Sequence, residues 1–360
     1  MKILLTGPDH PGGSIPPYLG ILTHQLRALG ARVDRAGSTT LPYDPTAGAF
    51  WPPERIAATA DELAATIDPT GYDVVSLHYG NLEIEQLLPT AWRKRHTSLP
   101  PIVHHVHALA PTLFTQHAPD PALHTRATTG MRTADGHVFF GTYAQHRTAT
   151  TAPGRVIPLP TTIPPGTHPH LTELLRQALD AARPGAVVVT LCGFAAPWKN
   201  PQLLIDALEH TTTPIHAILA GPLWDDPEQA GCDLRSAVGT PLRLGHAAQL
   251  AVVPHYCGPP ERLALVRAST AAVFPYRHQP TFQGSGAIAD YLAHRVPVIA
   301  TDIANMRELA THIVPADDPA ELAAALDHLT DHTRHPPAPD KFIPHAHASA
   351  CLDFYRTLTR

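Results

Sequence analysis

The stretch VFPYRHQPTFQGSGAIADYLAHRVPVIATD, residues 273–302, decides the architecture. It opens on the end of an apolar run over 271–274, crosses a polar loop, and reaches Gly284-Ser285-Gly286. A helical pattern over 286–294 follows, and then a second β-branched run over 298–300. Two short buried strands joined through a helix lie parallel in one sheet, with the helix crossing back over its face. Gly and Ser at the helix start let backbone N–H groups approach an anion, with the positive end of the helix dipole behind them. Asp290 is either an ordinary first-turn acid favoured by that dipole or a carboxylate that accepts hydrogen bonds from a ribose diol.

The same alternation fills the rest of the chain. In the second half, strands are expected over 187–191, 215–220, 251–253, 271–274 and 298–300, and helices over 201–210, 260–268, 286–294 and 319–330. In the first half, strands are expected over 2–6, 32–35, 73–77, 102–107, 136–140 and 156–158. The clearest early helix covers 18–29, where Leu19, Leu22, Leu26 and Leu29 recur at helical spacing. The segment PLPTTIPPGTHPH, residues 158–170, is too rich in proline to continue a helix or a central strand and reads as a linker. A second proline-rich break, HPPAPDKFIP, precedes a terminal helix over about 346–360. The class is α/β, and 360 residues suit two such domains.

Composition narrows the partner. The formal charge is −5, 16% of residues are charged, and the longest basic run is Arg93-Lys94-Arg95, so no nucleic-acid-coating surface is indicated. No apolar run approaches the roughly 18 residues that span a bilayer, and the start MKILLTG reaches Pro and Gly too soon for a signal peptide. The expectation is a cytoplasmic protein with a small-molecule partner and no stable membrane insertion. Cys192, Cys232, Cys257 and Cys351 are scattered without a C-x-x-C pair, which indicates neither a disulfide framework nor a zinc knuckle. With 25 histidines, the H-x-H pairs His105/His107, His168/His170 and His345/His347 arise from background, so no metal site is expected on them.

Two further loops carry chemistry. In TGPDHPGGSIPPYLG, Gly12, Gly13 and Ser14 stand between a strand and a helix, where they form either a phosphate cradle or a plain turn. The dinucleotide fingerprint G-x-G-x-x-G is absent, which disfavours a dinucleotide-dependent oxidoreductase. In VVVTLCGFAAPWKNPQLLIDAL, residues 187–208, a strand and Gly193 lead to Lys199, just before a helix opened by Pro201. Its ammonium either meets an anion at the C-terminal edge of the second sheet or is solvated.

Taken in order, these segments resemble the retaining glycosyltransferases of family 4, which have the GT-B fold. The family's Gly-Gly loop corresponds to Gly12-Gly13, its T-V-H-D-like segment to His105-Val106-His107-Ala108, and its G-R…K-G loop to Gly193-Phe194…Lys199-Asn200. Its E-G-F-G-L-P-x-x-E-A-M-A-x-G-x-P-V-I-A-T segment falls on Phe282 through Thr301, in a register set by Pro297-Val298-Ile299-Ala300-Thr301. The resemblance implies two Rossmann-like domains facing across a cleft: an acceptor-binding domain over 1–162, a donor-binding domain over 163–342, and a terminal helix over 343–360 packing on the first. It further implies transfer of a hexose or amino-hexose from a nucleotide-diphosphate sugar, UDP- or GDP-linked, with retention and without a metal or other cofactor.

His107 and Lys199 are the implied catalytic residues, His107 orienting the sugar and Lys199 meeting the diphosphate. The implied donor-binding set is Gly12, Gly13, Ser14, Gly193, Lys199, Tyr256, Arg277, Gln283, Gly284, Ser285, Gly286 and Asp290. Departures are visible. Phe282 stands where the family has its first Glu, with Gln283 adjacent, and Phe194 stands where it has a diphosphate-binding Arg, a charge that Arg277 could replace. His104 and His105 are expected to alternate inward and outward on their strand, and Asp135 to be a structural acid. The acceptor is expected to be a small polar molecule, with natural-product (antibiotic) tailoring as the setting, and a homodimer is compatible with the reading. The alternatives are a GT-B nucleotide-sugar epimerase and a non-catalytic nucleotide-binding subunit that activates a partner.

Overall fold

In a computed structural model, the structure describes residues 1–10, 14–44, 49–80, 84–110, 120–223, 234–279, 282–329 and 339–359. The apolar runs become strands of two separate units. The first unit comprises Met1–Leu159, Pro280–Gln283 and Pro344–Arg360, and the second Pro160–Gln279 and Gly284–Ile343.

In the first unit, β1 (Lys2–Thr6), β2 (Arg32–Ala36), a small hairpin of β3 (Tyr43–Asp44) and β4 (Ala49–Phe50), β5 (Val74–Tyr79), β6 (Ile102–Val106), β7 (Gly136–Phe139) and β8 (Gly154–Val156) follow in sequence. The main sheet has the order β2-β1-β5-β6-β7-β8, and its strand pairs are all parallel. Alternation decides which residue goes to which face. Ile3 and Leu5 join Leu19, Leu22, Leu26, Leu352 and Tyr355 in one core, while Leu4, Val75 and Leu77 join Leu88 and Trp92 in the other.

The first helix runs Ile15–Ala28, earlier than the leucine spacing suggests, because its two prolines sit in the first turn, where a missing N–H costs nothing. The terminal helix, Pro344–Leu358, packs against this first helix within the unit. Asp135 ties two strands together, its carboxylate accepting from Ile102 N at 2.9 Å.

His104 and His105 depart from the expected inward and outward placement: both are 0% exposed. A parallel sheet is covered on both faces, so alternation sends them to two different interiors. His104 stacks on Tyr79 with ring centroids 4.5 Å apart, and neither of its ring nitrogens has a hydrogen-bond partner among the described residues.

The second unit contains β9 (Val187–Cys192), β10 (Ile215–Ala220), β11 (Leu242–Leu244), β12 (Ala248–Val253), β13 (Ala271–Phe274), β14 (Val298–Thr301) and β15 (His312–Val314). Their order is β11-β12-β10-β9-β13-β14-β15, with only β11 antiparallel to its neighbour. The hairpin of β11 on β12 lengthens β12 beyond the expected 251–253, and its turn holds Gly245 at φ +53°. Val187, Val189 and Leu191 of β9 pack on Leu203, Leu204, Ala207 and Leu208 of the helix Pro201–His210 and on Leu322 and Leu326 of the helix Pro319–Asp327. From β9 the chain winds outward through β10 to β12, then returns to place β13 on the other side of β9. The loops after β9 and β13 therefore flank a topological switch point, where open α/β sheets bind ligands at the carboxyl ends of their strands.

No helix of the structure, among the described residues, is long and apolar enough to cross a membrane.

Candidate functional site

At this switch point the second unit assembles its candidate anion site. Gly193 follows β9 with φ +119°, a conformation that L side chains rarely adopt, and its N donates to Ala220 O at 2.8 Å. A Cβ at this position would overlap the Lys199 ammonium, so the missing side chain is what gives Lys199 its place. Gly221, which follows β10 at φ +154°, serves the same corner from the next strand, because a Cβ there would strike the Gly193 carbonyl. Sequence reasoning passed over Gly221, although its position directly after a buried strand was the available signal.

A single 3₁₀ turn, Pro197–Lys199, and left-handed Asn200 carry Lys199 back over the strand end. Lys199 is half-buried, lies 5.5 Å from the centroid of the Tyr276 ring, and pairs with no carboxylate among the described residues.

The loop after β13 closes on the same place. Arg277 N donates to Trp198 O at 2.8 Å, which fixes the two loops to each other. The Arg277 guanidinium lies 3.1 Å from Asp317 Oδ1, and Asn200 Nδ2 donates to that same oxygen at 3.3 Å. The Arg277–Asp317 pair is more than half exposed on both sides, and such pairs contribute about 0–1 kcal/mol, so a diphosphate can compete for the guanidinium. Ser285 Oγ lies 3.3 Å from the Tyr276 hydroxyl, bringing the Gly284-Ser285-Gly286 turn to the group around Lys199. Gly286 caps the helix Ala287–Ala293 without any side-chain cap bond. Phe194 is 38% exposed and does not fill the corner as packing.

Asp290 requires correction. Its carboxylate is buried and fully engaged: Oδ1 accepts from Thr161 Oγ1 at 2.7 Å and Thr162 N at 2.9 Å, and Oδ2 lies 3.1 Å from Arg262 Nε. Arg262 also donates to Thr162 Oγ1 at 2.8 Å. The pair anchors the proline-rich segment after residue 159 to the helices Pro259–Ala268 and Ala287–Ala293, so Asp290 is not an open acceptor for a ribose. Tyr256, at 57% exposure, remains on the surface, with its hydroxyl 3.5 Å from Arg262 Nη1.

Gln283 is also committed elsewhere: it is buried, belongs to the first unit, and its amide donates to the carbonyl of Val106, the last residue of β6. Ser14 is exposed at the start of the first helix, and Gly12 and Gly13 lie outside the described residues.

In the first unit His107 follows β6, half-buried, with its Nε2 3.2 Å from His78 Nδ1. Rings of Tyr18 and Phe140 lie against it at 5.2 and 4.8 Å between centroids. Burial, with a contribution from His347, pushes the His107 imidazole down to about 3, so it is neutral at physiological pH. The same cause lowers His347 to about 4 and holds His78, His104 and His105 well below the usual histidine range. Glu85 runs the other way, raised by burial to about 7.

These shifts imply a pH dependence of stability. A histidine kept neutral in the fold stabilises it fully above its unfolded value of about 6.5, and this is lost as pH falls toward the folded value, at up to about 1.4 kcal/mol per pH unit for each group. Glu85 opposes this between its unfolded value and about 7, but it is one group against five. Calorimetric melting should therefore be nearly flat above pH 7 and fall steeply below pH 6. His104→Phe should lessen that slope and raise the melting temperature at pH 7, because it removes two unpartnered buried nitrogens. A melting temperature that rises on acidification would contradict the buried-histidine account.

Among the described residues, two groups of side chains present ligand atoms within 4.8 Å of one another and could hold a metal ion: His105, His347 and Cys351 in the first unit, and His255, Cys257 and Glu261 in the second. Both are already hydrogen-bonded, His255 Nε2 to Glu261 Oε1 at 2.7 Å and His347 Nε2 to Tyr18 at 2.9 Å.

Residues 185–332 match the family described as Glycosyl transferases group 1. The matched residues fall in the second unit, apart from 280–283. Over 99% of the chain, the structure superimposes on 98% of a sucrose-phosphate synthase from Thermosynechococcus elongatus, with a TM-score of 0.68 at 18% identity. It covers 97% of Anabaena HepE in complex with UDP, over 99% of its own length, with a TM-score of 0.58 at 18% identity. It also matches AviGT4, a glycosyltransferase involved in avilamycin A biosynthesis, over 99% of this chain and 98% of that one, with a TM-score of 0.58 at 17% identity. These likenesses show the GT-B fold for the whole chain. None of the curated proteins compared with the chain matches its sequence.

Proposed function

We propose that this chain is a nucleotide-sugar-dependent glycosyltransferase that moves a hexose or amino-hexose to a hydroxyl of a small polar acceptor, with retention of configuration. The observation that carries the reading is the Lys199 ammonium, seated over Gly193 at the switch point of the second sheet without a carboxylate partner among the described residues, with Arg277 fastened to the same loop. Backbone donors at a turn, a lysine and an exposed arginine suit a diphosphate, which is the group that must leave as the glycosidic bond breaks. The HepE structures hold UDP and UDP-glucose, which supports a UDP-linked donor.

In this reading Lys199, released in part from the ring of Tyr276, meets the charge that grows on the departing diphosphate. Arg277 exchanges Asp317 for a phosphate oxygen. The acceptor hydroxyl attacks the face that the nucleotide leaves, and a phosphate oxygen takes its proton, so the mechanism draws on side-chain cations rather than a bound metal. His107, neutral, orients the sugar and transfers no proton in the reaction. Natural-product tailoring remains the proposed setting, supported by the fold shared with AviGT4.

The test is a transfer assay of the purified chain with UDP- and GDP-sugars and a panel of polar acceptors. Glycosylated acceptor and free nucleoside diphosphate in equal amounts are expected. An altered sugar formed without acceptor, or nucleotide binding without turnover, would overturn the assignment.

A further inference from the structure

We infer that one unbroken chain of hydrogen bonds, anchored at the Pro158 carbonyl, holds His107 as its Nε2–H tautomer and leaves Nδ1 as an acceptor for a sugar hydroxyl. The chain lies within the first unit and joins residues far apart in sequence. His347 Nδ1 is 2.8 Å from Pro158 O, and His347 Nε2 is 2.9 Å from the Tyr18 hydroxyl. Tyr18 is 3.3 Å from His105 Nδ1, and His105 Nε2 is 2.7 Å from the Tyr355 hydroxyl. Tyr355 is 2.7 Å from Ser76 Oγ, Ser76 is 2.8 Å from His78 Nε2, and His78 Nδ1 is 3.2 Å from His107 Nε2.

One end of this chain dictates the direction of every bond in it. A carbonyl only accepts, so His347 carries its proton on Nδ1, and its Nε2, bare in a neutral ring, must accept from Tyr18. Having given its only proton to His347, Tyr18 accepts from His105 Nδ1–H, which leaves His105 Nε2 bare to accept from Tyr355. The Tyr355 oxygen then accepts from Ser76, Ser76 accepts from His78 Nε2–H, and the bare His78 Nδ1 accepts from His107 Nε2–H. His107 Nδ1, which makes no hydrogen bond with the described residues, is therefore a lone-pair acceptor.

The reverse order requires Cys351 to satisfy His347 Nε2 instead. Its Sγ is 3.6 Å away and a thiol is a weak donor, while the Tyr18 oxygen at 2.9 Å would face a bare nitrogen with no proton between them. Burial agrees with the count of protons: all four imidazoles are held neutral and both phenols are held protonated.

The consequence for recognition rests on the proposed sugar transfer. A group offering only acceptors, such as a carboxylate or a phosphate, meets repulsion at Nδ1, whereas a hydroxyl is matched. Ser76, His78, Tyr355, His105, Tyr18 and His347 are thus positioning residues, and none of them needs to touch the sugar.

The experiment is long-range proton–nitrogen NMR of the full chain labelled with ¹⁵N-histidine at neutral pH. Nε2–H tautomers are expected at His78 and His107, and Nδ1–H tautomers at His105 and His347. A Nδ1–H tautomer or a mixture at His107 would overturn the inference. Tyr355→Phe interrupts the chain and should leave His347 in its tautomer while His78 and His107 become mixtures; unchanged tautomers would contradict the relay. Ser76→Ala gives the same reading should the phenylalanine variant fail to fold.

Titration with UDP-glucose or GDP-mannose, whichever raises the melting temperature, should then shift the His107 Nδ1 resonance, and the nucleoside diphosphate alone should not. A sugar nucleotide that binds through Lys199 and leaves Nδ1 unmoved defeats the hydroxyl contact while sparing the transferase reading. Failure of every nucleotide to bind defeats the transferase reading, and with it the hydroxyl contact, while the tautomers still decide the relay.

Discussion

Lys199→Ala should reduce sugar transfer by at least a hundredfold while leaving the melting temperature of the chain nearly unchanged. The ammonium is half-buried and has no carboxylate partner among the described residues, so removing it costs the fold little. It does cost the reaction. Hydrogen bonds to charged groups contribute about 1.5–3 kcal/mol, and removing one preorganised donor from a developing anion lowers turnover by roughly 10²–10³. Steady-state kinetics with the preferred donor would read the loss, which should fall more on kcat than on KM if the charge acts mainly in the transition state. Unchanged turnover would remove Lys199 from the site and with it the argument from Gly193.

Asp290→Ala should act in the opposite way, on stability more than on nucleotide affinity. Removing one partner of a buried ion pair leaves the other charge uncompensated, at about 3–5 kcal/mol. Arg262 would be that charge, its side chain 11% exposed, and Thr161 and Thr162 would lose their shared acceptor. For a unit of this size the melting temperature should fall by on the order of 10 °C. The double variant Arg262→Met with Asp290→Leu should recover most of it, since an apolar pair of similar volume often equals a buried ion pair. Preserved stability with weakened binding of UDP, but not of inorganic diphosphate, would return Asp290 to the ribose.

The contrast between these two residues shows what was legible in the sequence. Strands at 2–6, 102–107, 187–191 and 298–300 announce themselves because a parallel sheet buried on both faces needs uninterrupted β-branched runs. The place of Lys199 at the strand end was legible because local order alone, a strand, a glycine and a short turn, sets it there. Asp290 was misread for the converse reason: its partners come from Thr161 and Arg262, 129 and 28 positions away, and no local pattern encodes that meeting. Gln283 likewise meets a backbone carbonyl 177 positions distant.

The strands β11 and β15 were missed because each is three residues long and at a sheet edge, where little periodicity can develop. Most hidden of all was the histidine relay. His105 and His347 looked like background in a histidine-rich chain, yet they share the hydroxyl of Tyr18. Only the packing of the terminal helix on the first unit makes them neighbours.

Calorimetric titration of nucleoside diphosphate against the matching nucleoside tests the central claim most directly, because it isolates what the corner around Lys199 does for the phosphates. The account predicts that UDP or GDP binds at least a hundredfold more tightly than its nucleoside, and that most of this margin disappears in the Lys199→Ala variant. Equal affinity of nucleoside and diphosphate, or a margin that survives the substitution, would contradict it.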